Sequence, residues 1–132
     1  MKKLFLLFSH EITDEQLKDA KKNMGIDDIV NMPEELKKNW KSISPKGELN
    51  LKKIEPVLKW LKKESSKGDY VLVQGEYGVT FYIVGFCFKN NLIPIYATSK
   101  RVYKEDKNQD GSVVRKHIFK HVNFRKYEKF EL

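Results

Sequence analysis

Residues 69–82, Asp-Tyr-Val-Leu-Val-Gln-Gly-Glu-Tyr-Gly-Val-Thr-Phe-Tyr, decide how this chain is read. Tyr70 to Val73 is a short β-rich apolar run that stops at Gln74, and Gly75 and Gly78 then open an apolar segment long enough for a helix. Strand, glycine turn and buried helix in that order place the junction at the carboxyl edge of an open α/β sheet. There, N–H groups at a helix start point outward and favour an anion. The glycines have two readings, a phosphate-facing floor or simply a tight turn. Gly-x-x-Gly is not the full dinucleotide fingerprint, and the Lys-Ser/Thr of a P-loop is absent.

Upstream, Leu4 to Phe8 reads as a first strand buried on both faces. Its apolar run is too short for a signal peptide and passes directly into Ser9-His10-Glu11. Thr13 with Gln16 forms a capping box, Leu17, Ala20 and Met24 share a helical face, and Gly25 supplies the stop. A second strand is expected within Ile26–Met32. Pro33 then opens a helix carrying Leu36, Trp40 and Ile43 on one side, broken by Ser44-Pro45-Lys46-Gly47. Leu51, Ile54, Val57, Leu58 and Leu61 predict a third helix that begins or bends near Pro56 and ends at Ser65-Ser66-Lys67-Gly68.

Downstream, Val79, Phe81, Ile83, Val84, Phe86, Cys87 and Phe88 leave no polar face. That predicts a helix packed on both sides and a candidate dimer contact. Leu92 to Ala97, containing Pro94, is the next strand and leads into Thr98-Ser99-Lys100-Arg101. The order β-α-β-α-α-β-α-β predicts an α/β fold with a Rossmann-like, mostly parallel sheet and helices on both faces. Val102–Glu105 and Val113–Phe124 flank an Asn-Gln-Asp-Gly turn and predict a C-terminal β-hairpin. The expectation is one domain over residues 1–132, with a core at 1–99 and a hairpin extension at 100–132.

The 132 residues, 40% of them hydrophobic, suffice for one core. Lys and Arg outnumber Asp and Glu by 26 to 18, and the net charge of +8 suggests a polyanionic partner; a lysine-rich solvated surface produces the same figure. Cys87 has no disulfide partner in the chain and reads as a small core residue in a reducing cytoplasm. No stretch reads as a membrane span. The helices lack a basic recognition face, so no DNA partner is expected.

On a parallel sheet three strand ends meet along one edge: Ser9-His10, Gln74-Gly75-Glu76-Tyr77-Gly78, and Thr98-Ser99-Lys100-Arg101. Ligands of open α/β sheets bind along that edge. Lys100 and Arg101 offer charge for phosphate, Ser9, Thr98 and Ser99 offer hydroxyls, Gln74 reads a base edge or sugar, and His10 titrates near neutrality. In the tail, His117, Phe119, His121, Asn123, Arg125 and Tyr127 alternate, and on a regular strand they face one way. Such a face stacks bases and neutralises phosphates, or protects an edge strand with positive charge. His117 and His121 have no evident third ligand, so neither a metal nor another cofactor is expected.

Four segments carry a family resemblance: Lys2–His10, Gly68–Gly75, Ile93–Thr98 with Lys100-Arg101, and Phe119–Tyr127. Together they resemble the small stand-alone Csx-type CRISPR-associated proteins of type III systems, in the CARF-like ring nuclease family. The resemblance implies a CARF-like homodimer that binds cyclic oligoadenylate, most simply cyclic tetra-adenylate, across its two-fold axis and cleaves it to switch off antiviral signalling. The activity it implies is that of a metal-independent phosphodiesterase, with the 2′-OH attacking the adjacent phosphate to leave 2′,3′-cyclic phosphate ends. It implies catalytic roles for His10, Lys100 and Arg101. Ligand contacts are implied for Ser9, Gln74, Gly75, Glu76, Tyr77, Gly78, Thr98, Ser99, His121 and Arg125. Two rivals stand beside it: a non-cleaving sponge for the same ring, and a single-stranded RNA-binding module built on the basic, aromatic tail.

Overall fold

Strand β1 (Lys3–Leu7) is apolar and buried from Leu4 onward because it lies inside a sheet with helices above and below. It pairs in parallel on both edges, with β2 (Asp28–Asn31) through Leu4↔Ile29 and with β3 (Tyr70–Val73) through Leu4↔Tyr70. In the computed structural model, which describes residues 1–131, β3 pairs in parallel with β4 (Ile93–Lys107). The last strand, β5 (Val113–Lys126), runs antiparallel to β4 and completes the order β2-β1-β3-β4-β5. The protein is thus α/β with a five-stranded mixed sheet: the parallel part and the C-terminal hairpin are as expected, and the sheet as a whole is not all-parallel.

Helix α1 (Asp14–Met24) covers one face, where Leu4, Leu6, Ala20, Leu72 and Ile95 are buried together. Its capping box is present at Thr13 and Gln16, and Gly25 closes it in the left-handed region at φ 66°. Helices α2 (Glu34–Lys41), α3 (Glu55–Glu64) and α4 (Tyr77–Lys89) cover the other face, burying Phe5, Trp40, Leu61, Val71 and Ile83. Each such side chain contributes roughly 1.5–3 kcal/mol relative to exposure. Pro56 sits in the first turn of α3, where its missing N–H costs nothing. Asp69, 3% exposed, accepts from the N–H groups of Lys3 (3.2 Å) and Ser66 (2.8 Å) and so joins the start of β1 to the loop before β3.

Two expectations change. Helix α4 is not packed on both sides: Val79, Ile83 and Cys87 are buried, whereas Tyr77 and Phe81 are 93% and 83% exposed. Its neighbours lie on one side only, so uniform apolarity does not translate into uniform burial. Strand β4 does not stop at Ala97 but continues to Lys107, crossing the expected core–hairpin boundary at residue 99. Its β3 partner is used up at Ile95, and beyond that point β5 alone continues the pairing. The result is a long two-stranded ribbon leaving the sheet.

Gly75 is fixed by packing. A Cβ there would stand 2.8 Å from the Trp40 ring, which has no room to move because Trp40 is buried and donates from Nε1 to the Gln74 carbonyl at 3.2 Å. Gly75→Ala should destabilise the fold by about 1–3 kcal/mol. Cys87 supplies the readout: burial pushes its thiol up to about 12, so it reacts with a thiol reagent only when the chain opens. Labelling of Cys87 should be slow in the parent protein and roughly five-fold or more faster in Gly75→Ala.

Candidate functional site

The carboxyl ends of β1 and β3, the first turn of α1 and the root of the β4–β5 ribbon enclose a cleft of about 890 Å³. That is the size of a small-molecule or cofactor site. Of the residues singled out from sequence, His10, Gln74, Thr98, Ser99 and His121 line it together. They arrive from four strands: His10 and Gln74 follow the ends of parallel β1 and β3, which share an edge, and Thr98, Ser99 and His121 come from the paired β4 and antiparallel β5. Ser9 lies beside His10 just past β1, half-buried.

Gln74 is the fixed point of the cleft. Its N–H donates to the Leu7 carbonyl (3.0 Å), its carbonyl accepts from Trp40, and its Oε1 accepts from the Ala97 N–H (2.9 Å). The side-chain oxygen thereby continues the β3–β4 pairing, and the amide nitrogen is left as the group that can donate to a ligand. Thr98 Oγ1 donates to Asn123 Oδ1 at 2.5 Å, and His10 packs edge-on against Phe8.

The glycine turn already carries a carboxylate of its own. Glu76 caps α4, its own carboxylate accepting from the Gly78 N–H, so the helix start already holds a negative group. Gly75 serves the Trp40 contact and Tyr77 points into solvent. Residues 75–78 fall outside the cleft lining, and of their two sequence readings the structural one describes the geometry.

Lys100 and Arg101 also stand apart from the lining. They lie within β4 on the ribbon, exposed, and Arg101 covers the Phe119 ring at 5.5 Å. Arg125 is further removed, in a second depression with Tyr96 and Tyr127. A bulge explains the separation. Thr98 pairs with Asn123 but Ser99 pairs with His121, so Val122 is an extra residue and the alternation shifts there. The single face expected for His117 to Tyr127 is therefore split. His121 and Phe124 meet at 4.8 Å towards α1, while Tyr127 turns to the other side, contacts Tyr96 and donates to the Val73 carbonyl at 2.6 Å.

The bulge sends His121 to a partner that no local pattern marks. Its Nε2 donates to Asp19 Oδ2 at 2.7 Å, and the other carboxylate oxygen of Asp19 accepts from Asn23 Nδ2 at 2.7 Å. The two side chains are only 6% and 14% exposed. His121 Nδ1 is buried and has no hydrogen-bond partner among the described residues. Burial raises the Asp19 carboxyl, but the Asn23 and His121 hydrogen bonds and the His121 charge outweigh it, and the net effect is downward. Asp19, 102 residues away from His121, was invisible to a motif search; its only trace is an acid beside the apolar stripe of α1.

The family profile described as the uncharacterized protein MJ1673 family matches residues 2–125. The chain belongs to that family. Uncharacterized protein MJ1673 of Methanocaldococcus jannaschii is 42% identical over 130 residues, covering 98% of this chain and 100% of the relative. No solved structure matches the chain. The stretch matched to the MJ1673 family contains every residue of the cleft, from Phe8 to His121. Among the described residues no helix is long and apolar enough to cross a membrane, and no cluster of three His, Cys, Asp or Glu is placed to hold a metal.

The lowered Asp19 carboxyl has a stability consequence with a definite sign. A carboxylate depressed in the folded state contributes above its ordinary value, near 3.8, and loses that contribution as pH falls through the lowered value. Asp19→Ala should therefore cost about 1.5–3 kcal/mol near neutrality, the range for hydrogen bonds to a charged group. In urea titrations the gap between parent and variant should hold down to about pH 4 and shrink below it.

Proposed function

We propose that this protein is a ring nuclease that binds cyclic oligoadenylate, most simply cyclic tetra-adenylate, in the cleft and cleaves it without a metal. The reading joins the sequence resemblance to one observation, the convergence of His10, Gln74, Thr98, Ser99 and His121 on a single cleft at the carboxyl edge of parallel strands. In this reading the parallel core is Rossmann-like and CARF-like, the protein works in the cytoplasm of a cell with type III CRISPR signalling, and two copies face each other. A cleft of about 890 Å³ suits part of a four-nucleotide ring, so two copies around a two-fold axis share one ligand.

The chemistry follows from the substrate. Each ribose 2′-OH adjoins a 3′,5′ phosphodiester, and holding nucleophile, phosphorus and leaving oxygen in line permits cleavage with no external nucleophile. The Gln74 amide and the Thr98 and Ser99 hydroxyls orient ribose and phosphate. His10, at the open end of β1, assists proton transfer to or from an oxygen. Lys100 and Arg101, on β4 between the cleft-lining Ser99 and Val102, supply positive charge to the phosphorane-like transition state. A chain of net charge +8 draws the anionic ring in.

One observation favours a second reading. The ribbon exposes Phe119 (67%) and Tyr103, flanked by Arg101 and His117, a surface on which single-stranded bases stack.

The test is single-turnover incubation with cyclic tetra-adenylate in EDTA, with products followed by chromatography and mass spectrometry beside a binding assay. Linear products ending in 2′,3′-cyclic phosphate are expected, with His10→Ala, Lys100→Ala and Arg101→Ala each slowing cleavage by roughly ten-fold or more. Tight binding of an intact ring identifies a sponge. Failure to bind either the tetra- or the hexa-adenylate ring, with affinity that grows with linear RNA length and falls with salt, transfers the function to the ribbon.

A further inference from the structure

We propose that His121, held at Nε2 by Asp19, is the general base of the cleft and works through Nδ1, with Asp19 as its positioning residue. The inference rests on the ring-nuclease reading and adds a catalytic residue to it.

Four observations carry it. The imidazole is nine-tenths buried yet lines the cleft. One of its nitrogens donates to a carboxylate at 2.7 Å, which sets the tautomer with the proton on Nε2 and directs the lone pair to Nδ1. The carboxylate is itself held by Asn23, so the pair is oriented from behind, as a base and its orienting group must be. Nδ1 is buried and has no partner among the described residues, a condition that is destabilising until the nitrogen is paired. Nδ1 is closed to solvent in the free cleft, so a ligand hydroxyl donating to it has to displace the groups that cover it, which couples ring binding to alignment of the base.

In the reaction, Nδ1 takes the proton of the 2′-OH as the O2′–P bond forms and the P–O5′ bond breaks. The departing 5′ oxygen takes a proton from the His10 imidazolium. The products are a 2′,3′-cyclic phosphate and a 5′-OH, with one proton moved from His10 to His121 and returned through water. The charged groups around the cleft that modulate this exchange are Glu11, Asp14 and Glu15 on the α1 side, Lys104 and Lys120 on the ribbon, and His10 at the end of β1. Phe124 lies against the imidazole without charge.

His121→Gln separates catalysis from structure, because its amide can still donate to Asp19 but cannot titrate. With the parent protein cleaving cyclic tetra-adenylate, the variant is expected to bind the ring within about three-fold of the parent and cleave at least about a hundred-fold more slowly, with the acidic limb of the pH–rate profile lost. Asp19→Asn should keep the limb but displace it. Cleavage by His121→Gln within about three-fold of the parent overturns the inference and leaves the ring-nuclease reading intact. A parent protein that leaves the ring whole removes that reading instead. Nitrogen NMR of the histidine rings tests the inference beside turnover: a bare Nδ1 near neutral pH supports it, and an imidazolium unchanged from about pH 6 to 9 overturns it.

Discussion

The contact on which the rest of the structure depends is the seat of Trp40 on Gly75, with Gln74 beside it. One residue, Gln74, is bonded to β1, α2 and β4 at once, and it is followed by a glycine because the indole leaves no space for a Cβ. This ties the helices of one face to the carboxyl edge of the sheet. It also determines where β3 ends, and so where β4 loses its parallel neighbour and begins to run free.

What happens to β4 beyond that point is decided by the bulge at Thr98 and Ser99. A two-stranded ribbon is marginal in water without a face to rest on. This one is held at its root on both sides, by His121 on Asp19 towards α1 and by Tyr127 on the Val73 carbonyl towards the opposite face. The same register shift that produces those two anchors also builds the cleft wall. Further out, the ribbon is stabilised by cross-strand pairs, Arg101 over Phe119 and Glu105 with Arg115 at 3.3 Å, and its lysines discourage further strand addition. Charge along the ribbon thus serves solubility whichever ligand the cleft takes.

The glycine turn illustrates why strand-edge motifs need their surroundings. An outward-facing helix start attracts an anion through its free N–H groups, and in this chain the Glu76 carboxylate already takes the Gly78 N–H and places a negative charge there. The polar run Thr98–Arg101 reads as a strand end, but polar residues also suit a ribbon exposed on both faces, and pairing with β5 carries the strand through Lys100 and Arg101. His10, Gln74 and the hydroxyl residues kept their place at the edge because they follow from the parallel order of β1, β3 and β4, which hydrophobic runs and short connections make legible.

By itself the sequence determined the elements governed by local rules: the capped α1, the start of α3 at Pro56, the apolar parallel strands, the turn after Gly75 and the hairpin around Asn108–Gly111. These depend on interactions within a few residues, such as caps, fixed φ angles and alternation. Only the tertiary structure decided which face of α4 is covered, how far β4 runs, and that His121 meets Asp19 across 102 residues. The physical reason is common to all three. Burial and pairing at those positions depend on which neighbour is present or missing in space, and a one-residue shift at the bulge redirects every side chain after it.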